Sequence, residues 1–193
     1  MIEIVKDIIV VSTNQILGAV ANISGGSYAV VVDEQETPVA LATKEDFASL
    51  NAPGSKALIQ VVSDLPPALV AGRRIAIEQL ITAATANPNL VSRGTVLMSR
   101  KGIAGVYPVG DMISHMRGLG VHYAATAAGL HAAIATSGRN RELQGDSPPG
   151  SIPIVCARVG CGFLNHFITF PKKWWMPTCQ NPAPPKHFFQ MKR

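Results

Sequence analysis

The residues of this chain that are best suited to metal chemistry lie close together near its C-terminal end. The 193-residue sequence has three cysteines, Cys156, Cys161 and Cys179, all within a stretch of 24 residues. Four residues separate the first two, glycines flank the second, and His187 follows the third after seven intervening residues. Three thiolates and one imidazole form a closed tetrahedral set that suits zinc, and glycine permits the tight turns of a metal-binding loop. The spacing therefore predicts a Cys3His zinc site.

The segment from residue 151 to 193, called the tail below, resembles a zinc ribbon. Its Cys-x4-Cys and Cys-x7-His spacings depart from the commonest Cys-x2-Cys pattern, and His166 competes with His187 for the fourth position. The alternative is three unrelated thiols, which must explain their clustering. An odd number of cysteines without a recognisable secretory signal argues against a disulfide framework. Four protein ligands leave no open coordination position, so the predicted zinc is structural and not catalytic.

The surplus of positive charge and most of the aromatic residues lie in the same tail. Six basic residues and no acidic residue follow Asp146, and seven of the eleven aromatic side chains lie after it. Lys172 and Lys173 directly precede Trp174 and Trp175, and lysines beside exposed aromatic rings can bind single-stranded nucleic acid through charge and stacking. The alternative is that these aromatic residues fill the small core of the tail. The rest of the chain is near neutral, and it contains no apolar stretch typical of a membrane span, so we expect a cytoplasmic protein.

An internal repeat organises the first 118 residues. The segment YAVVVDEQETPVALATKEDF at 28–47 matches RGTVLMSRKGIAGVYPVGDM at 93–112 without gaps, at an offset of 65 residues. Each copy contains an apolar strand, a polar turn, a second apolar strand and an acidic residue that opens a helix. The first copy predicts strands at 8–11, 30–32 and 39–42 and helices at 14–23 and 43–50, and the second spans about 74–117. The repeating unit is therefore βαββα.

The order and size of this unit resemble the CBS domain, named from cystathionine β-synthase, and the most specific match is VALATKEDF at 39–47. The resemblance implies an α+β fold in which two repeats pack as a pseudo-twofold pair, a Bateman module, and often form homodimers. It also implies that Thr43 and Asp46 hold the phosphate and ribose of an adenosine nucleotide such as AMP or ATP, with Lys44 as a phosphate neighbour. The second copy keeps Asp111, but Pro108 takes the position of the threonine and offers neither hydroxyl nor N–H.

The Thr43/Asp46 pair also has a purely structural interpretation. A threonine at a strand-to-helix junction lies beside unpaired N–H groups that favour phosphate, and a carboxylate can accept two hydrogen bonds from a cis-diol. The same Thr-x-x-Asp spacing forms an N-terminal helix cap, which stabilises a helix by about 0.5–2 kcal/mol without any ligand. Both interpretations stay open at this point. Arg93 could reach a phosphate, but its type and position indicate a solvated surface charge.

These observations predict four segments and a function. The segments are a first CBS repeat at 1–65, a second at 66–118, an Ala-rich helix and linker at 119–150, and a zinc-ribbon-like domain at 151–193. The sequence shows no paired carboxylates, nucleophile–base motif or phosphate-binding glycine loop, so an enzyme is not expected. We expect a regulatory module that binds an adenosine-type nucleotide and uses the zinc-bound tail to contact an unknown protein partner. The alternative is a nucleic-acid-binding protein that uses the basic, aromatic tail.

Overall fold

A computed structural model of the chain describes residues 4–21, 28–118, 152–167, 177–182 and 186–191. The Ala-rich segment at 119–150, with His122 and His131, lies outside the described residues, and so do Lys172 to Trp175. No helix in the described part of the chain is both long and apolar enough to cross a membrane.

Two units with the same order of elements follow one another along the chain, and the mixed α+β character expected from the sequence is confirmed. The first repeat consists of β1 (Ile8–Ser12), α1 (Leu17–Ala21), β2 (Tyr28–Val32), β3 (Pro38–Ala42) and α2 (Lys44–Ala48). The second consists of β4 (Leu69–Gly72), α3 (Ile77–Ala86), β5 (Gly94–Ser99), β6 (Gly102–Pro108) and α4 (Val109–Gly118). The tail adds β7 (Ile152–Val155) and β8 (Leu164–Phe167).

Helix α1 begins later than the sequence predicts. The backbone N–H groups of Leu17 and Gly18 donate to the carbonyls of Lys56 and Gly54, at 2.9 and 2.7 Å, and the Gln15 carbonyl accepts from Leu58 at 2.8 Å. These long-range partners satisfy the groups that an earlier helix start would have used. The segment after α2, which includes two short 3-10 helices at Leu58–Gln60 and Val62–Asp64, therefore packs back onto the start of α1.

The two repeats have the same strand pairing. In the first, β1 and β2 are parallel and β3 is antiparallel to β2, and in the second β4, β5 and β6 pair in the same way. Both hairpins have an irregularity in strand register at the same place, after Val31 in the first repeat and after Leu97 in the second, and these residues are 66 positions apart. On the partner strands of the two hairpins, the equivalent residues Leu41 and Val106 are 65 positions apart. The gap-free sequence match is therefore wrong by one residue, because the second hairpin turn is one residue shorter.

Each repeat pairs its leading segment with the last strand of the other repeat. Before β1, the backbone of Val5 exchanges two hydrogen bonds of 2.9 Å with Val106 in β6. Before β4, the Pro66 carbonyl accepts a 3.0 Å bond from the N–H of Leu41 in β3. Since Leu41 and Val106 are equivalent positions of the two repeats, these two exchanges are reciprocal.

Gly105 makes the first of these exchanges possible. Its φ of +148° lies in the region that favours glycine, and a Cβ added there would come within 2.5 Å of the Val5 carbonyl oxygen. A side chain at this position would therefore push the leading segment away from β6.

Three groups of buried side chains hold the elements together. One face of the first sheet packs on α1 and α2, through residues such as Leu17, Val20 and Phe47. One face of the second sheet packs on α3 and α4, where Leu80 and Met112 are fully buried. The remaining faces contribute to a common core, called the shared core below, which holds residues of both repeats and of the tail: Val30, Leu41, Val70, Val96, Val106, Ile154, Cys156, Cys179, Phe189 and Met191.

The described strands of the tail extend the second sheet. Strand β7 runs parallel to β4, with Ile154 opposite Val70, and β8 is antiparallel to β7, so the strand order is β6-β5-β4-β7-β8. Ile154 and Val155 are fully buried, as expected for a strand with neighbours on both sides. The division of the chain into domains at residue 150 stays a prediction, but this pairing ties the start of the tail to the second repeat.

Candidate functional site

The first metal-binding loop directly follows β7 and is called the first knuckle (residues 156–161). The N–H of Cys156 donates to the Phe163 carbonyl at 2.9 Å, and the N–H of Cys161 donates to the Arg158 carbonyl at 3.0 Å. Gly160 and Gly162 have φ values of +76° and +62°, which are accessible to glycine with little strain. The loop therefore turns tightly enough to bring both thiols to one side.

The second knuckle (residues 179–187) brings Cys179 and His187 together. The N–H of Cys179 donates to the His187 carbonyl at 2.9 Å, and Thr178 and Phe188 form an antiparallel bridge beside this bond. The next residue, Phe189, is fully buried in the shared core. The two knuckles are linked through the chain after this bridge, because the N–H of Ala157 donates to the Gln190 carbonyl at 2.7 Å.

Two amides that the sequence analysis did not single out fix the second knuckle to β8. The buried Asn165 accepts a 2.7 Å bond from the N–H of Gln180 and donates to the Phe163 carbonyl at 2.9 Å. The Gln180 side chain in turn exchanges hydrogen bonds of 2.7 and 2.8 Å with the backbone of His166. Gln180 is adjacent to Cys179, so these bonds position that thiol. Only the fold brings residues 165 and 180 together, and no local sequence pattern indicates it.

The four predicted ligands converge. The sulfurs of Cys156, Cys161 and Cys179 and a ring nitrogen of His187 all lie within 4.8 Å of one another, which is close enough to hold a metal ion. His166, the competing candidate, does not belong to this group. The Sγ atoms of Cys161 and Cys179 are 3.7 Å apart, much longer than a disulfide bond of about 2.05 Å. All three cysteines are free thiols.

Two of the distances between donor atoms fit zinc. A tetrahedral ion with Zn–S bonds of about 2.3 Å and a Zn–N bond of about 2.0 Å needs sulfur–sulfur edges of about 3.8 Å and sulfur–nitrogen edges of about 3.5 Å. The Cys161–Cys179 separation is 3.7 Å, and Cys156 Sγ lies 3.6 Å from His187 Nε2. Two edges of the cluster therefore match a tetrahedral site.

The environment raises the pKa of one thiol and lowers the pKa of another. Burial raises the pKa of Cys156 to about 12, and the charges of the neighbouring thiolates act in the same direction. Burial also acts to raise the pKa of Cys161, but hydrogen bonds from the Phe163 backbone, the Asn181 amide and the other thiols outweigh it and lower the pKa. A buried group of thiols needs a nearby positive charge to hold more than one as thiolate, and a divalent cation supplies it.

The predicted nucleotide residues Thr43 and Asp46 lie at the start of α2, where Thr43 is the N-cap. The Thr43 N–H donates to Asp46 Oδ2 at 2.7 Å, and the Thr43 hydroxyl donates to the same oxygen at 3.1 Å. The capping interaction that the sequence left open is therefore present. Lys44 is exposed beside it.

Arg93 is not the solvated surface charge that the sequence indicated. From the residue before β5, its guanidinium donates to both oxygens of Asp46, with Nη2–Oδ1 at 2.5 Å and Nε–Oδ2 at 2.8 Å. Burial alone would raise the pKa of Asp46, but the bonds from Arg93 and the Thr43 backbone lower it overall. No sequence pattern pointed to this pair, because its members are 47 positions apart and belong to different repeats.

Asp111, the counterpart of Asp46, is exposed in the first turn of α4. Burial raises the pKa of Tyr28 and of Tyr107, and the negative charge of Asp111 raises both further. The charge of Asp111 therefore reaches Tyr28 of the first repeat. The ion pair of Asp46 with Arg93 is a direct contact between the repeats, whereas Asp111 acts on Tyr28 through its charge.

Comparison with known proteins gives only distant similarities. No family model and no curated protein matches the chain. The soluble part of a magnesium transporter is 12% identical with a TM-score of 0.44, over 61% of this chain and 47% of that chain. The CBS domains of a transcriptional regulator from Streptococcus pneumoniae are 13% identical with a TM-score of 0.39, over 55% of this chain and 86% of that chain. The chain thus spans 47% of the transporter structure. At these levels the two structures identify no family for this chain.

Proposed function

We propose that this protein is a non-enzymatic regulatory module of the CBS type, in which two repeats form a pseudo-twofold pair that binds an adenosine nucleotide. The observation that carries the proposal is the reciprocal exchange between repeats, in which Val5 bonds to Val106 and Pro66 bonds to the equivalent Leu41. An approximate twofold relation between two like units would produce such a reciprocal exchange, so the exchange supports the proposed pair. Binding of a nucleotide between the repeats would then alter how the module associates with a partner or with a second copy of itself.

The nucleotide is proposed to bind at the junction of β3 and α2. Thr43, Lys44 and Asp46 supply a hydroxyl, an exposed cation and a carboxylate within one turn of chain, and Arg93 adds a second cation from the other repeat. Phosphate recognition needs such cations, and ribose recognition needs an acceptor for its hydroxyls. At the equivalent junction of the second repeat, Asp111 lacks a threonine partner, so we assign it a weaker role.

We further propose that one structural zinc ion joins the two knuckles of the tail. Four protein donors, two of them fully or nearly buried, and edges of 3.6 and 3.7 Å support a closed tetrahedral site. Cys156 and Cys179 belong to the shared core, so the ion would fix the tail to both repeats. The tail then presents a fixed surface to a partner protein.

Two measurements test the proposal. Isothermal titration calorimetry with AMP, ADP and ATP should detect one class of site, and Asp46→Ala should abolish it. Elemental analysis of the purified protein should find about one zinc per chain. Absence of heat and of any thermal shift with all three nucleotides would remove the sensing function and leave the zinc site standing.

A second candidate function is nucleic-acid binding by the tail. Phe188 is 62% exposed and lies two positions after Lys186 in the sequence. Val159 is 83% exposed and directly follows Arg158. An exposed aromatic ring among cations suits stacking on unpaired bases.

Labelled single-stranded oligonucleotides test this second function. Binding should weaken with salt and should be lost when Lys172, Lys173 and Trp174 are all replaced by alanine. Lys101→Ala, on the hairpin turn of the second repeat, is the matched control. If no binding occurs at low salt, the tail has no such function.

A further inference from the structure

The carboxylate of Asp46 already accepts several hydrogen bonds in this structure. Its two oxygens accept four hydrogen bonds: one from Arg93 Nη2 to Oδ1, and three to Oδ2 from Arg93 Nε, the Thr43 N–H and the Thr43 hydroxyl. Each oxygen of an ionised carboxylate has about two lone-pair sites, so Oδ2 is fully occupied and Oδ1 keeps one site. Asp46 is also buried to all but 8% of its surface, so a further donor has little access to it. The residue that should hold a ribose diol therefore lacks the two accessible acceptor sites that a diol needs while Arg93 is bound to it.

The hydrogen bonds from Thr43 and from Arg93 differ in how easily they can be broken. Thr43 bonds to Asp46 within a single turn of the helix cap, so its N–H bond persists while α2 is folded, and its hydroxyl can rotate toward a bound phosphate. Arg93 reaches Asp46 across the boundary between repeats with a long side chain that is 38% exposed. Withdrawal of Arg93 frees two acceptor positions, the number that a cis-diol needs.

A guanidinium that leaves Asp46 needs another anion. Arginine binds phosphate in the same bidentate manner as carboxylate, so a ligand that brings its own phosphate can take the place of Asp46 on Arg93. A nucleoside without a phosphate supplies no anion to replace Asp46 on Arg93, so its binding must break the ion pair without a compensating interaction.

We infer that the Asp46–Arg93 ion pair is a latch on the ligand site, opened by nucleotides because their phosphate takes over Arg93 while their ribose takes over Asp46. This inference rests on the proposed nucleotide function and adds a specificity-determining residue to it. Arg93 thereby couples the ligand to the second repeat, because the same side chain belongs to one repeat and contacts the ligand site of the other.

Calorimetric titration of the full chain with adenosine and with AMP tests the latch. In the wild type, AMP should bind about 10- to 100-fold more tightly than adenosine, the factor expected for charge-assisted hydrogen bonds. In Arg93→Ala, Asp46 is released, so adenosine should bind at least as tightly as to the wild type, and the preference for AMP should fall to the part that Lys44 supplies. Arg93→Met, which keeps the aliphatic bulk of the side chain, should behave in the same way and guards against a folding defect in the alanine variant. Arg100→Ala removes an exposed arginine of the same repeat and should leave the preference for AMP unchanged.

The outcomes separate the latch from the proposed function. If the wild type binds AMP and the Arg93 variants keep its preference over adenosine, the latch is wrong and the nucleotide function stands. If the wild type binds neither ligand but the Arg93 variants bind adenosine, the ion pair blocks the site and phosphate does not open it, so the latch and the sensing function are both wrong. If no form of the protein binds either ligand, both are overturned.

Discussion

Arg93 and Asp46 form a bidentate ion pair that joins the residue before β5 to the first turn of α2, with donor–acceptor distances of 2.5 and 2.8 Å. The pair links the two repeats at the position where the sequence predicts the nucleotide site. It also gives the stability of the protein a specific dependence on pH.

Stability should fall in acid because of Asp46. The pKa of Asp46 is lowered in the folded protein from its usual 3.8, so the unfolded chain binds this proton more readily. The stabilisation is therefore complete above the usual pKa and is lost as the pH falls below about 4 through the folded value. Urea unfolding from pH 7 to pH 2.5 should show this loss in the wild type and a weaker dependence in Asp46→Asn. At pH 7 that variant should be destabilised by on the order of 1 kcal/mol, since the exposed part of Arg93 is screened by water.

Glu78→Gln is the charge-matched control for this experiment, because Glu78 is exposed on α3. An Asp46→Asn variant with the full acid sensitivity of the wild type would show that the ion pair does not contribute to it.

The two histidines of the tail should differ in their effect on metal binding. His187 contributes its ring nitrogen to the ligand cluster, whereas His166 bonds to Gln180 through its backbone and lies outside the cluster. Loss of a direct ligand costs more than the 10- to 100-fold typical of an outer residue, so His187→Ala should weaken zinc affinity by at least about 100-fold. His166→Ala should retain about one zinc per chain. Competition with a chromophoric chelator measures both, and equal losses in the two variants would contradict the assignment.

The adjacent residues Phe188 and Phe189 form a natural pair for testing the shared core. Phe189 is fully buried and packs edge-on against Phe167 with ring centroids 4.8 Å apart, whereas Phe188 is 62% exposed. Phe189→Ala should lower the free energy of unfolding by about 3–5 kcal/mol, and Phe188→Ala should change it by no more than about 0.5 kcal/mol.

Denaturant unfolding of the zinc-saturated protein measures both values. A Phe189→Ala protein with an unchanged main transition, and only a local loss of the tail, would show that the tail does not stabilise the repeats.

Gly105 should tolerate no side chain. Its φ of +148° and the 2.5 Å approach of an added Cβ to the Val5 carbonyl predict that Gly105→Ala destabilises by at least about 2 kcal/mol and frees the leading segment. Gly110 lies in α4 with nothing within 4 Å of an added Cβ, so Gly110→Ala should stabilise by roughly 0.5–1 kcal/mol. Thermal unfolding gives the first comparison, and hydrogen exchange at Val5 and Val106 reports whether the pairing is lost. Retained protection of both amides in Gly105→Ala would contradict this account.

Local sequence patterns placed most of the described elements. The β-branched run at 30–32 and the Thr43-x-x-Asp46 cap lie where the structure has β2 and the start of α2, within one or two residues. Such signals depend on contacts within a few residues along the chain, so they are readable without the fold. The predicted start of α1 was wrong because the segment at 54–58 forms hydrogen bonds with the backbone groups that an earlier start of the helix would use. The one-residue difference between the hairpins was missed because few residues are identical in the two copies.

The sequence by itself determined the chemistry available to this protein: three thiols and a histidine with metal-ligand spacing, and a threonine and an aspartate one helical turn apart. Only the tertiary structure decided that His187 and not His166 joins the thiols, that Arg93 binds Asp46, and that the tail continues the second sheet beside β4. Each of these depends on groups brought together from distant parts of the chain, where burial and backbone pairing select the partner. The residue type determines which groups a side chain can bind, and tertiary packing determines which of those groups lies within bonding distance.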